Sequence, residues 1–498
     1  MGGQAETLAF LRAALEAEQG APVEIVETHI SDVLLAGERA WKLKRAVKLP
    51  YLDFSTPERR RAAAEDELAL NRRAAPQLYL GLREIRRDAA GRLHFGETGE
   101  LVDVVVEMRR FDQASLFDRL ARADALTRPL LTALAREIAR FHATADVVRG
   151  AAGAGSIAAV LALNARALAD SGLVAPDAAT AQTARFKAAF ARLAPLLDAR
   201  GEAGRIRRCH GDLNLRNICL YEGAPVLFDC LEFDARLAEI DVLYDLAFLL
   251  MDLWEHGRAE QANWTLNRYL DVADETEGLA LLPFFMAMRA AIRAHVTATQ
   301  AKEHPERRAE ALAYHALADD LLIAHAPRLV AIGGLSGTGK STLAHALAHR
   351  LGAAPGARVL SSDRLRKALA GVSPETRLPA QAYARAASDA VYADLMARAA
   401  HTLASGGAVV ADAVFAAPAE RAAIAEIARQ AGVAFTGLWL ESDPAVMRAN
   451  VAARVGDPSD ATVEVVERQL GYDLGTIDWT RLDADADDLL ARAAVALT

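Results

Sequence analysis

Gly334-Leu335-Ser336-Gly337-Thr338-Gly339-Lys340-Ser341-Thr342 follows an apolar run, Leu329 to Ile332, and leads into an amphipathic stretch. A glycine-rich turn between a strand and a helix, closed by Lys and Ser, is the P-loop pattern. Its glycines let backbone amides converge on phosphate oxygens. Lys340 brings a mobile positive charge, and Ser341 offers its hydroxyl to Mg²⁺ at the helix start. Gly334, Ser336, Gly337, Thr338, Gly339, Lys340, Ser341 and Thr342 are the expected cradle for the phosphates of ATP.

Downstream, strand-like runs at Arg358 to Leu360, Ala408 to Ala411 and Phe435 to Leu440 alternate with helical stretches, which implies a parallel α/β sheet. Asp363 follows the first of these runs and emerges at the carboxyl edge of the sheet, beside the phosphate loop. It either takes a proton from an attacking hydroxyl or caps the following helix. The spacing from Asp363 to Arg366 resembles P-loop kinases of small molecules and polynucleotides, in which such an Arg holds the substrate; the resemblance favours the base. Asp412 ends the second run, as a magnesium-side carboxylate or a cap. Arg448 and Arg454 precede Pro458-Ser459-Asp460 and read as lid arginines for the transferring phosphoryl group, or as surface residues.

Upstream, the composition changes near His325, so the expected domains are 1–325 and 326–498. The first begins β-rich, with strands at Val23 to Thr28, Asp32 to Leu35 and Ala40 to Val47. A helix opens at Thr56-Pro57, a capping residue followed by proline at the first helical position, and runs through Glu67 towards Arg73. Further strands at Tyr79 to Arg86 and Leu101 to Met108 give way to helices from Leu116 onward.

In this helical part stands His210-Gly211-Asp212-Leu213-Asn214-Leu215-Arg216-Asn217, followed by Val226-Leu227-Phe228-Asp229. Phosphoryl transfer needs an Asp at the attacking hydroxyl, an Asn holding magnesium and a second Asp chelating the metal that bridges the phosphates. Asp212, Asn217 and Asp229 fit these tasks.

Here the chain resembles the aminoglycoside phosphotransferase family, relatives of protein kinases with HGD in place of HRD. The resemblance implies a bilobal α+β kinase-like fold over the first domain. It also implies a strand lysine on the α- and β-phosphates, either Lys42 or Lys44 in Trp41-Lys42-Leu43-Lys44, with Glu67 as its ion-pair partner. Lys44 is the first choice, although strand alternation puts both on one face. Val104 to Met108 would be the adenine-recognising hinge, and Asp245 would brace the catalytic loop. Asp229 is followed by Cys230-Leu231 instead of Phe-Gly, a departure from the protein-kinase pattern. The order of the modules resembles bifunctional proteins that join an aminoglycoside phosphotransferase-like domain to an AAA-family P-loop domain.

The remaining composition excludes more than it specifies. Over 498 residues, 52% hydrophobic and 25% charged, a net charge of −9 argues against broad nucleic-acid binding. The apolar stretch Ile240 to Trp254 contains Asp241, Asp245 and Asp252 and reads as a buried helix, with no membrane partner. Cys209, Cys219 and Cys230 suit a reducing cytoplasm as ordinary buried thiols. Glu232 and Asp234 either attract a cationic acceptor or tie down their loop. The expected activity is transfer of the γ-phosphoryl group of ATP, with Mg²⁺, to a hydroxyl of a small molecule, beside a second kinase-type ATP site. The alternative is a regulatory ATP-binding protein in which one site senses nucleotide. Neither the acceptor nor the oligomeric state follows from the sequence.

Overall fold

In the computed structural model the described residues are 3–28, 30–49, 52–150, 153–232, 235–454 and 456–497. They form two compact units, 1–159 with 194–256, and 160–193 with 257–498. The expected acidic residue Asp234 lies outside the described residues.

The first unit opens with strands β1 (Glu24–Glu27), β2 (Ser31–Ala36) and β3 (Arg39–Lys44), the short β4 (Lys48–Leu49) and β5 (Leu52–Asp53), then β6 (Tyr79–Arg87), β7 (Leu93–Phe95) and β8 (Glu100–Arg109). Six of these make an antiparallel sheet in the order β1-β2-β3-β8-β6-β7. Alternation sorts its side chains. Leu34, Trp41, Leu43 and Val105 pack with Leu11 and Leu15 of helix Gly3–Gln19. Leu35, Ala40, Val104 and Val106 share the other core with Ala64 of helix Pro57–Ala74. Thr56 caps that helix by accepting from the Arg59 amide, and Pro57 opens it. Its buried residues Arg60, Ala64, Glu67, Asn71 and Ala74 recur at helical spacing, which carries Glu67 to the lysine face of β3.

Short strands β9 (Ile206–Arg208), β10 (Ile218–Tyr221), β11 (Ala224–Leu227) and β12 (Glu239–Asp241) frame the His210 to Asp229 segment. The pairs β9 with β12 and β10 with β11 are antiparallel. The aspartate-bearing apolar stretch is helix Val242–Glu255, buried from Val242 to Leu253.

In the second unit, β13 (Arg328–Gly333), β14 (Arg358–Ser361), β15 (Val409–Asp412), β16 (Ala434–Glu441) and β17 (Thr480–Asp483) form an all-parallel sheet in the order β14-β15-β13-β16-β17. Separate apolar cores cover its two faces, so β13 and β15 read as unbroken hydrophobic runs. The sequence boundary at 325/326 falls inside this unit, in which helix Ala259–Leu270 is bonded to the chain entering edge strand β14. Asn267 Oδ1 accepts the Val359 amide at 2.7 Å, and its Nδ2 donates to Ala357 O at 3.1 Å. Asn263 Nδ2 donates to Pro355 O and Ala357 O at 3.1 and 3.0 Å. The stretch Thr276–Gln300 is long and apolar enough to cross a bilayer, but 61% of its apolar window is buried in the protein.

Candidate active sites

The His210 to Asn217 segment of the first unit is held by carboxylates that project from an apolar helix. Asp245 accepts the His210 amide at 3.1 Å and the Gly211 amide at 2.9 Å. Asp252, two turns on, accepts the Leu215 amide at 3.0 Å. Gly211 has φ +84°, and a Cβ there would lie 3.0 Å from the Leu231 Cβ, so the turn requires glycine. His210 Nε2 lies 2.9 Å from Phe228 O, fastening the loop to the strand that leads to Asp229.

Within this frame Asn217 Nδ2 donates to Asp212 Oδ2 at 2.8 Å and to Asp212 O at 2.9 Å. Asp229 adopts the left-handed conformation, φ +62°, and its amide donates to the Tyr79 hydroxyl at 3.2 Å. The next amide, Cys230, donates to Asn71 Oδ1 at 2.9 Å. Lys42 Nζ lies 2.6 Å from Asp229 Oδ1 and 2.9 Å from Glu67 Oε1. Burial alone would depress the Lys42 ammonium, but Asp229 and Glu67 outweigh it and hold its pKa well above the ordinary range. Glu67 is likewise raised by burial and lowered further by Lys42 and Lys44, to about 2.

The structure separates the two strand lysines and encloses the expected hinge within the sheet. Lys44 was the first choice for the phosphates, yet its side chain is 1% exposed, and its ammonium bonds Glu67 Oε2 at 2.8 Å and Glu232 Oε1 at 2.6 Å. Lys42, 13% exposed, is the lysine beside Asp229. Glu232 is buried against Lys44, the loop-tying alternative. Val104 to Met108 lie inside β8, which is paired with β3 and β6 on its two sides, so their backbone groups are taken up by the sheet. The sequence reading missed Tyr79, Asn71 and Asp252. Asn71 was accessible from its i+4 relation to Glu67, and Asp252 from its place in an otherwise apolar helix.

In the second unit a cavity of about 590 Å³ opens at the carboxyl edge of the sheet, lined by Ser336, Lys340, Ser341, Asp363, Asp412 and Arg454 among others. Parallel register brings Ile332, Ser361 and Asp412 level with one another. Ser341 Oγ donates to Asp412 Oδ2 at 2.6 Å. Lys340 Nζ donates to Leu335 O at 2.8 Å, inside its own loop. Gln469 Oε1 accepts the Ser336 amide at 2.7 Å, and Asn450 Nδ2 donates to Gly337 O at 2.8 Å; neither was anticipated from sequence. Gly337 has φ +89°, and a Cβ would meet Met447 O at 2.5 Å.

Burial lowers the Lys340 ammonium, partly offset by Asp412 and Asp363, and raises the carboxyls of Asp363 and Asp412. Asp363 sits in the first turn of helix Ser362–Leu369, while the cap position belongs to Ser361. Arg454 lines the cavity and has a buried Nη1 without a hydrogen-bond partner among the described residues. Arg448 is half-exposed and paired with Glu467. Arg366 donates to Ala382 O at 2.6 Å and stacks on Tyr383 at 4.7 Å.

Comparison with known proteins matches residues 34–282, half of the chain, to the phosphotransferase enzyme family, and residues 329–472 to the AAA domain. The uncharacterized protein Rv2004c of Mycobacterium tuberculosis is 32% identical over 473 residues, 91% of each chain, as is the uncharacterized protein Mb2027c of Mycobacterium bovis. Among solved structures, a choline/ethanolamine kinase family protein from Mesorhizobium loti is 16% identical, with a TM-score of 0.40, covering 63% of this chain and 94% of its own. A gluconokinase from Sinorhizobium meliloti 1021 is 21% identical, with a TM-score of 0.26, covering 34% and 91%. This chain, with its kinase-like N-terminal part and its parallel-sheet P-loop domain, belongs to the phosphotransferase enzyme family and is a kinase.

Proposed function

We propose that residues 1–325 transfer the γ-phosphoryl group of ATP to a hydroxyl of a small molecule, and that residues 326–498 form a second kinase-type ATP site. The observation that carries the first half is the meeting of Lys42, Glu67 and Asp229 beside the bonded pair Asp212 and Asn217. Asp212 orients the acceptor hydroxyl and receives its proton; Lys42, kept cationic by two carboxylates, holds the α- and β-phosphates. Asn217 and Asp229 offer oxygens to Mg²⁺. The half-exposed carboxylate of Asp229 suits that hard cation, which when bound neutralises charge on the phosphates.

In the second site the cradle 334–342, with Lys340, holds phosphates, and Ser341 with Asp412 offers oxygens to Mg²⁺. Asp363, whose carboxyl burial has raised, serves as base, and Arg454, in the cavity wall, meets the phosphoryl group. The three buried thiols fit work in a reducing cytoplasm.

The deciding experiment follows ATP consumption with Mg²⁺ against amino sugars, aminoglycosides, polyols, nucleosides and oligonucleotide ends, for wild type, Asp212→Ala and Lys340→Ala. Acceptor-dependent turnover lost in one variant assigns that acceptor to one site. Tight ATP binding with no stimulated turnover across the panel overturns the proposal in favour of a nucleotide sensor.

A further inference from the structure

The pair of strand lysines leaves Lys44 without a part in phosphoryl transfer. Its ammonium bonds Glu67 and Glu232 and sits 5.1 Å from the centre of the Phe54 ring. Two carboxylates and an aromatic face surround this ammonium, and with 1% of the side chain exposed it has little room for a phosphate.

Glu67 is shared, with Oε1 on Lys42 and Oε2 on Lys44. Lys42 continues to Asp229 and Lys44 to Glu232, three residues further along the same loop. The charges therefore run Asp229, Lys42, Glu67, Lys44, Glu232, and return to the segment from which they started. The two halves of this ring differ in access. Lys42 and Asp229 have side chains 13% and 42% exposed, whereas Lys44 and Glu232 are 1% and 5% exposed.

A buried ion pair is a poor source of stability, because desolvation offsets most of the attraction and an apolar pair of similar volume does as well. What the pair supplies is a fixed distance. The loop it fixes is irregular backbone, with a left-handed residue at Asp229.

We infer that Lys44 and Glu232 are positioning residues, a clamp that holds Glu67 and the 229–232 loop in place when Lys42 and Asp229 release each other for phosphate and metal. The inference rests on the proposed roles of Lys42 and Asp229. It explains why the strand carries two lysines on one face: one is exchangeable and one is fixed.

The test uses the full-length chain with Lys340→Ala, so that nucleotide binding reports on the first unit. Two variants are added to it, Glu232→Gln, which keeps Lys44 beside Glu67, and the apolar pair Lys44→Met with Glu232→Met. Without nucleotide, amide hydrogen exchange across 229–232 should be at least tenfold faster in the apolar pair and about threefold faster in Glu232→Gln. ATP affinity in EDTA should stay within twofold of the parent, while the tightening produced by Mg²⁺ should fall at least tenfold in the apolar pair. Unchanged exchange together with an unchanged Mg²⁺ response overturns the clamp, and if the apolar pair does not fold, Glu232→Gln alone decides. Lys42→Met tests the nucleotide-lysine assignment separately from the clamp. It should weaken ATP binding with and without Mg²⁺; retained affinity there, with loss in the Lys44 variant, overturns the nucleotide-lysine assignment and the clamp with it.

Discussion

Asp245 holds Gly211 by a 2.9 Å hydrogen bond from the glycine amide, and its other oxygen takes the His210 amide at 3.1 Å. One carboxylate thus fixes two successive peptide planes ahead of Asp212. Asparagine in its place keeps one acceptor and turns an NH₂ group towards the other amide, stranding a buried donor at a cost of about 1–3 kcal/mol. Asp245→Asn should lower Tm and reduce kcat for the first-unit reaction at least tenfold, with KM for ATP within threefold of wild type. A matching rise in KM would mean that the residue also shapes nucleotide binding.

Separate sites predict separable losses. Asp212→Ala should abolish one acceptor-dependent activity and leave ATP binding at the P-loop intact, because Asp212 and the cradle belong to different compact units. Lys340→Ala should do the reverse. Isothermal titration of both variants, counting bound nucleotides, checks this, and loss of both activities in a folded single variant would speak against independence.

Gly337→Ala combines two penalties. The left-handed conformation costs a side-chain-bearing residue roughly 1–2 kcal/mol, before the Cβ is placed 2.5 Å from Met447 O. ATP affinity at the second site should fall tenfold or more. First-unit activity should stay within twofold of wild type.

Stability should decline on both sides of neutrality for different reasons. Folding lowers Glu67 from 4.5 to about 2, against burial and through its lysines, so its contribution is complete above pH 4.5 and lost as pH falls towards 2. His256 moves the other way, from 6.5 to about 9, through its hydrogen bond to Glu255, opposed by burial and helped by Asp252. Its contribution is complete below pH 6.5 and lost as pH rises through 9. Glu67→Gln should flatten the acid limb of a Tm-against-pH curve, and His256→Gln the alkaline limb between pH 6.5 and 9.

The cradle was legible in the sequence because nine consecutive residues carry it and backbone geometry does most of its work. The order of Asp212, Asn217 and Asp229 was legible because one hairpin connects them. Lys42 and Lys44 could not be separated, since strand alternation gives them the same face and both meet Glu67; only Asp229 beside Lys42, and Glu232 with Phe54 beside Lys44, tell them apart. Arg448 and Arg454 were equivalent by composition, and only the cavity wall divides them. Tyr79 and Asn71 escaped notice because their bonds go to backbone amides across more than a hundred residues, which no local pattern records.

The two asparagines along β14 make the P-loop half something other than an interchangeable cassette. A chain cut at 325 would carry an outer strand whose Val359 amide had lost Asn267, and a lead-in turn whose Pro355 and Ala357 carbonyls had lost Asn263 and Asn267. Such a bare edge is a template for pairing with other copies. The fragment 326–498 should therefore self-associate on expression, and a transplanted P-loop domain should need helix Ala259–Leu270 along with it, although that helix falls within the segment matched to the phosphotransferase family. Ancestry and foldability draw the border of this domain in different places.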